Sequence, residues 1–237
     1  MKKKWIYLAV PLLALLLMSL WYINDYYHSD ESVQQYFSQN GEVSISEIKD
    51  GLFLDGPGTE NALIFYPGAK VEYTAYLPLF YRTAEQGTDV FLLEMPCNLA
   101  FLGRNCADQI LETYDYNHWY LSGHSLGGAM AADYCTDNTD HLDGLILLAA
   151  YPTRSLRTEG FSVLSIYGSE DHVLNMEKYE QGKEFLPEDF TEVYISGGNH
   201  AQFGNYGLQK GDGTASISAE EQQAQTALAI SNMVMAK

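Results

Sequence analysis

The chain is poor in positive charge: of its 237 residues only 13 are Lys or Arg, against 31 Asp or Glu, a formal net charge of -18 at pH 7. A surface of that sign repels phosphate backbones and forgoes the counterion release that drives nucleic-acid binding, so a nucleic-acid role is excluded. The same field disfavours strongly anionic substrates unless a local basic pocket intervenes, and it favours solubility. Cysteine is scarce too. Cys97, Cys106 and Cys135 are too few and odd in number for a disulfide framework. In an exported domain Cys97 and Cys106 could close a short loop, and buried free thiols fit at least as well. None has a CxxC partner or the histidine pattern of a metal site or thiol nucleophile, so all three read as structural.

What is present is ordinary for one well-formed core: 46% hydrophobic and 19% charged residues. An appendage precedes it. Lys2, Lys3 and Lys4 lead into an apolar run, Trp5 to Ile23, broken by Pro11 and Ser19 and long enough to cross a bilayer. Lysines before it and Asp25, Asp30 and Glu31 after it set the expected direction, N-terminus cytoplasmic and the remainder outside. A cleaved signal peptide with secretion is the competing reading. The long apolar stretch ends in Trp21-Tyr22, not in a small-residue cleavage site, and no cysteine follows for lipid attachment, which favours an uncleaved anchor over 1–23. Residues 24–40, polar and without a clear period, read as a juxtamembrane stalk or helix. The domain is expected over 41–237.

From Gly41 the pattern changes. Glu42 to Ile48 alternates at period two and, across Asp50-Gly51, faces Leu52-Phe53-Leu54, the signature of an edge hairpin. Beyond Gly56-Pro57-Gly58, short continuous apolar runs at Ala62–Tyr66, Asp89–Glu94, Trp119–Leu121, Gly144–Ala149, Phe161–Tyr167 and Thr191–Ile195 are separated by helical stretches. Apolar strands without alternation, interleaved with helices, mean a mostly parallel sheet buried on both faces: α/β, doubly wound.

Ligands of such sheets bind at the carboxyl ends of the strands, so the residue after each strand is informative. Gly123-His124-Ser125-Leu126-Gly127-Gly128 lies between an apolar strand and a small-residue helix, the context of a nucleophile elbow, in which Gly123 and Gly127 allow strand and helix to approach. Asp171 follows the Phe161–Tyr167 strand and His200 follows the last one, giving the order Ser, Asp, His. A serine hydroxyl needs an imidazole to take its proton, and the imidazole needs a carboxylate to fix its tautomer. Ser125, His200 and Asp171 fit those roles as nucleophile, base and orienting acid. His172 is the rival base, poorly placed because it adjoins its own orienter; Glu170 is the rival acid. His28 lies in the stalk, His141 in a polar turn and His118 at the far end of the elbow strand. The backbone N–H of Leu126 would be one oxyanion donor, and that of Ala69, in the Pro67-Gly68-Ala69-Lys70 turn, the other. Lys70 and Tyr73 could border the pocket.

With Phe65-Tyr66-Pro67-Gly68-Ala69, Gly123 to Gly128, Tyr167-Gly168-Ser169-Glu170-Asp171 and Gly197-Gly198-Asn199-His200-Ala201-Gln202-Phe203, the chain resembles the α/β-hydrolase superfamily, and within it the bacterial α/β-hydrolase fold-5 group, often membrane-anchored. The resemblance implies Ser125, Asp171 and His200 as the triad, with no cofactor and no metal. It does not imply a substrate. Relatives often insert a cap after the strand that here ends at Ala149, but only Ala150 to Gly160 follows, so an open, shallow cleft for small or mobile acyl groups is expected. Gly211-Asp212-Gly213 lacks the acidic ligands of a calcium loop and reads as a rigid turn beside His200. The expected activity is serine hydrolysis through an acyl-enzyme, most simply of a short-acyl carboxylic ester. Acyl transfer or amide cleavage by the same triad, and a non-catalytic surface binding module, are the alternatives; the oligomeric state is not legible.

Overall fold

Eight stretches of the chain pair into one sheet in the order β1-β2-β4-β3-β5-β6-β7-β8. They are β1 (Ser44–Ile48), β2 (Gly51–Asp55), β3 (Asn61–Tyr66), β4 (Thr88–Leu93), β5 (His118–His124), β6 (Gly144–Leu148), β7 (Ser162–Gly168) and β8 (Thr191–Ile195). This computed structural model describes residues 2–38 and 41–236, and the side chains of all of these except 2–9 and 20. The expected segment boundaries at 1, 39–40 and 237 lie outside the described residues.

β1 and β2 form the anticipated antiparallel hairpin, with Ile48 facing Gly51, and β2 runs antiparallel to β4. From β4 to β8 every pairing is parallel. Alternate residues of each inner strand serve opposite faces. Leu63 and Phe65 join one core with Leu77 and Phe80 of α2 (Leu77–Glu85) and Ala227, Ile230 and Val234 of α6 (Ala219–Val234). Ala62, Ile64 and Tyr66 join the other with Ile110 of α3 (Ala107–Thr113) and Ala131, Ala132 and Cys135 of α4 (Leu126–Asn138). Both faces are covered, which is why the strands read as continuous apolar runs. One of the helical stretches between the strands is α5 (Met176–Gly182), continued by a 3₁₀ turn over Lys183–Phe185. Between β6 and β7 no helix or strand intervenes, in keeping with the missing cap. The three cysteines are free, so no Cys97–Cys106 bridge forms.

The N-terminal part departs from expectation in two ways. One helix, α1, covers Lys2–Asn24, and Leu12, Leu15, Leu16, Met18 and Trp21 on it are exposed. Among the described residues, however, no helix is long and apolar enough to cross a membrane. The expected membrane anchor over 1–23 therefore finds no support among these residues. The segment read as a stalk, in turn, packs on the domain. Val33, in the 3₁₀ helix Glu31–Ser38, is fully buried, and Asp30 N–H donates to the Asn205 carbonyl at 2.9 Å. Backbone bonds to loops far along the chain leave no periodic signal, which is why the packing of this segment on the domain was not legible.

Candidate active site

Ser125 is the hinge between β5 and α4. Its backbone stands at φ 53°, ψ −120°, a strained conformation for a residue with a side chain, and its N–H donates to the Leu148 carbonyl at 2.9 Å. The flanking glycines are there for space. A Cβ on Gly123 would lie 2.5 Å from the Gly127 carbonyl carbon, and one on Gly127 would overlap the carbonyl oxygens of Tyr66 and Pro67. The start of α4 is thereby packed against both its own strand and the turn after β3.

Asp171 and His200 leave adjacent strands, β7 and β8. Their loops are joined by the backbone: Ser169 N–H donates to the Ile195 carbonyl at 2.9 Å and Glu170 N–H to the Gly198 carbonyl at 2.8 Å. Asp171 Oδ1 accepts from the N–H groups of Val173 (2.9 Å) and Leu174 (2.7 Å). Its Oδ2 is then aimed at the His200 ring, whose Nδ1–H donates to it at 2.8 Å; both side chains are buried. With the Nδ1 proton held there, Nε2 of His200 presents a lone pair. It has no partner among the described residues. Ser125 and His200 line one cavity of about 320 Å³, whose walls include Ala129, Ala149, Ala150, Tyr151, Val173 and Leu174. No side chain of fixed charge lines it.

The rivals point elsewhere. His172 is exposed and absent from the cavity wall. Glu170 accepts from the Ser169 hydroxyl at 2.9 Å. Of the two expected oxyanion donors, Leu126 lines the cavity and begins α4, and N–H groups in a helix's first turn lack an intrahelical acceptor. Ala69 is not part of the cavity wall. The amides on either side of it are committed, Gly68 N–H to the Tyr76 hydroxyl at 3.1 Å and Lys70 N–H to the Asn98 carbonyl at 2.8 Å. Lys70 turns away, its Nζ 2.7 Å from Asp25 Oδ2. No group of residues able to hold a metal ion occurs among the described residues.

Two supports were missed by sequence reasoning. Tyr76 and His124 lie beneath the site, the hydroxyl 2.8 Å from His124 Nδ1, and the His124 ring packs on His200 with centroids 4.4 Å apart. Burial holds the Tyr76 phenol far above its ordinary pKa, so it keeps its proton; taking the Gly68 N–H, it donates to Nδ1. Asp212, from the turn expected to be merely rigid, accepts from Ala201 N–H at 2.9 Å and from the N–H groups of His172 and His200 at 3.3 Å. Only the Gly-Asp-Gly spacing hinted at it.

Comparison with known proteins agrees with this architecture. Residues 62–224 match the model of the alpha/beta hydrolase family. No curated protein matches. Among solved structures, a predicted CIB-like hydrolase from Thermoplasma acidophilum superposes with a TM-score of 0.61 at 14% identity, over 80% of this chain and 99% of that one. Carboxyl esterase 2 from Tuber melanosporum gives 0.60 at 9% identity, over 89% and 91%. A monoacylglycerol lipase from Paleococcus ferrophilus gives 0.59 at 14%, over 83% and 99%. At such identities the likeness is one of fold.

Proposed function

This chain belongs to the alpha/beta hydrolase family, and from that premise we propose that it is a serine hydrolase acting through an acyl-enzyme, with a small uncharged carboxylic ester as substrate. The observation that carries the reading is that His200, its ring fixed by Asp171 and its Nε2 left without a partner, lines the same cavity as Ser125. In the reaction Nε2 takes the Ser125 hydroxyl proton as Oγ adds to the ester carbonyl, and Asp171 steadies the imidazolium. The oxyanion meets the Leu126 N–H at the positive end of α4, and the Ala69 N–H, outside the cavity wall but in the turn that packs on Gly127, is the second donor we assign. Collapse expels the alcohol, which receives the proton from His200; water then enters by the same base and releases the acid. The wall of alanine, leucine and valine side chains suits a short acyl group.

The test is covalent labelling of the full chain with a fluorophosphonate and turnover of a short-chain p-nitrophenyl ester, beside Ser125→Ala and His200→Ala. Labelling and turnover lost in both variants support the reading. A wild type that neither labels nor turns over removes it in favour of a binding module. An added alcohol or amine that diverts the acyl group reveals a transferase. We further place the domain outside the cytoplasm, tethered by α1. Supporting this are the three leading lysines, the apolar run and the uncovered Leu12, Leu15 and Leu16 side chains. Retention in carbonate-washed membranes is expected, and release into the soluble fraction would count against it.

A further inference from the structure

The segment after α1 is bonded to two loops at once, and one residue makes both connections. Tyr27 forms an isolated parallel bridge with Val71: its N–H donates to the Lys70 carbonyl at 2.7 Å, and its carbonyl accepts from Glu72 N–H at 2.9 Å. Its hydroxyl accepts from Lys210 N–H at 3.2 Å, and its ring lies 5.6 Å from that of Tyr206. The first pair of bonds grips the turn that contains Ala69, and the second contact grips the loop that continues from His200. Lys70 stands at φ 58°, a backbone that a lysine keeps only where its surroundings fix it. Its N–H is held by Asn98, its carbonyl by Tyr27 and its Nζ by Asp25.

We propose that Tyr27 is a positioning residue for the hydrolase reaction, clasping the Ala69 turn and the His200 loop together so that oxyanion donor and base keep register with Ser125. The inference rests on the serine-hydrolase reading. A segment needed only for cohesion would be served by apolar burial, as at Val33. Tyr27 instead spends its backbone and hydroxyl on N–H and C=O groups of the two loops that flank the catalytic serine. The segment thereby belongs to the catalytic unit, and the connection between α1 and the domain runs through the site's own scaffold.

The experiment uses the full chain carrying Tyr27→Phe, Tyr27→Ala or Ser125→Ala, with kcat, KM, fluorophosphonate labelling rate and thermal unfolding measured for each. Tyr27→Phe keeps the ring and loses the bond to Lys210; Tyr27→Ala also loses the contact with Tyr206. Small displacements of catalytic groups lower the chemical step, so kcat and labelling are expected to fall together, by about threefold in the first variant and about tenfold or more in the second, with KM changed by less than about twofold. Unchanged kcat and labelling in both, or losses that follow only the folded fraction, overturn the proposal. Should Tyr27→Ala fail to fold, Tyr27→Phe decides alone. An active wild type silenced by Ser125→Ala, with both Tyr27 variants fully active, defeats the clasp and leaves the hydrolase; a Ser125→Ala protein that still turns over defeats the reading on which the clasp rests.

Discussion

His124 shows how a residue next to Ser125, the proposed nucleophile, can matter without lining the cavity. It is buried to 1% exposure between the Tyr76 hydroxyl and the His200 ring. Burial lowers its pKa well below the ordinary 6.5, the neighbouring His200 lowers it further, and a contact with the His200 backbone opposes them. It therefore stays neutral and adds no positive charge beside the His200 imidazole. The sign of the linkage follows. Below pH 6.5 the unfolded chain binds a proton at this residue and the folded chain does not, so stability is full above that pH and falls as pH drops through it. The slope from this one group reaches about 1.4 kcal/mol per pH unit. The wild-type urea midpoint should be lower near pH 5.5 than near pH 7.5, and His124→Asn should flatten that difference. An equal difference in both proteins would mean that His124 is not the group responsible.

At the scale of elements, α6 does for His200 what α4 does for Ser125. The first turn of α6 is capped by Ser218, whose hydroxyl accepts from Glu221 N–H at 3.1 Å. The next residue along, Gln222, is wholly buried: its Oε1 accepts from Asn199 N–H at 2.9 Å and its Nε2 donates to the Asn199 carbonyl at 2.8 Å. Gln222→Met keeps the volume but strands both backbone groups, a cost of about 1–3 kcal/mol. It should lower both the urea midpoint and kcat, since Asn199 adjoins His200; a stability loss at unchanged kcat would assign Gln222 to cohesion alone. The contrast with α4 explains what the chain disclosed before folding. Continuous apolar runs and glycines at a strand end are local signals, so the strands, the elbow and the residues after β7 and β8 were legible. Gln222 and Asn199 are 23 positions apart, and Tyr27 and Lys210 are 183. Contacts made by single polar side chains across such separations leave no period or motif, and neither the clamp on the base loop nor the packing of residues 25–38 could be read from the sequence.

For the molecule as a whole, the governing quantity is the formal charge of -18 set against a cavity wall that carries no side chain of fixed charge. With no local basic pocket there, the field of the acidic body acts on any anion that approaches Ser125. It bears on encounter, not on the chemical step, and salt removes it: the screening length is about 10 Å at 0.1 M and about 3 Å at 1 M. A neutral short-acyl ester and its analogue with a free carboxylate on the alcohol should therefore differ at low salt and converge as salt is added. Turnover of the neutral ester at low concentration should stay level while that of the anionic one rises toward it, through kcat/KM and not through kcat. A parallel response would show that salt is changing the protein and not the field. An anionic ester already preferred at low salt would mean that a cation reaches the cavity after all, and Lys70, now held 2.7 Å from Asp25, is the first residue whose release would supply it.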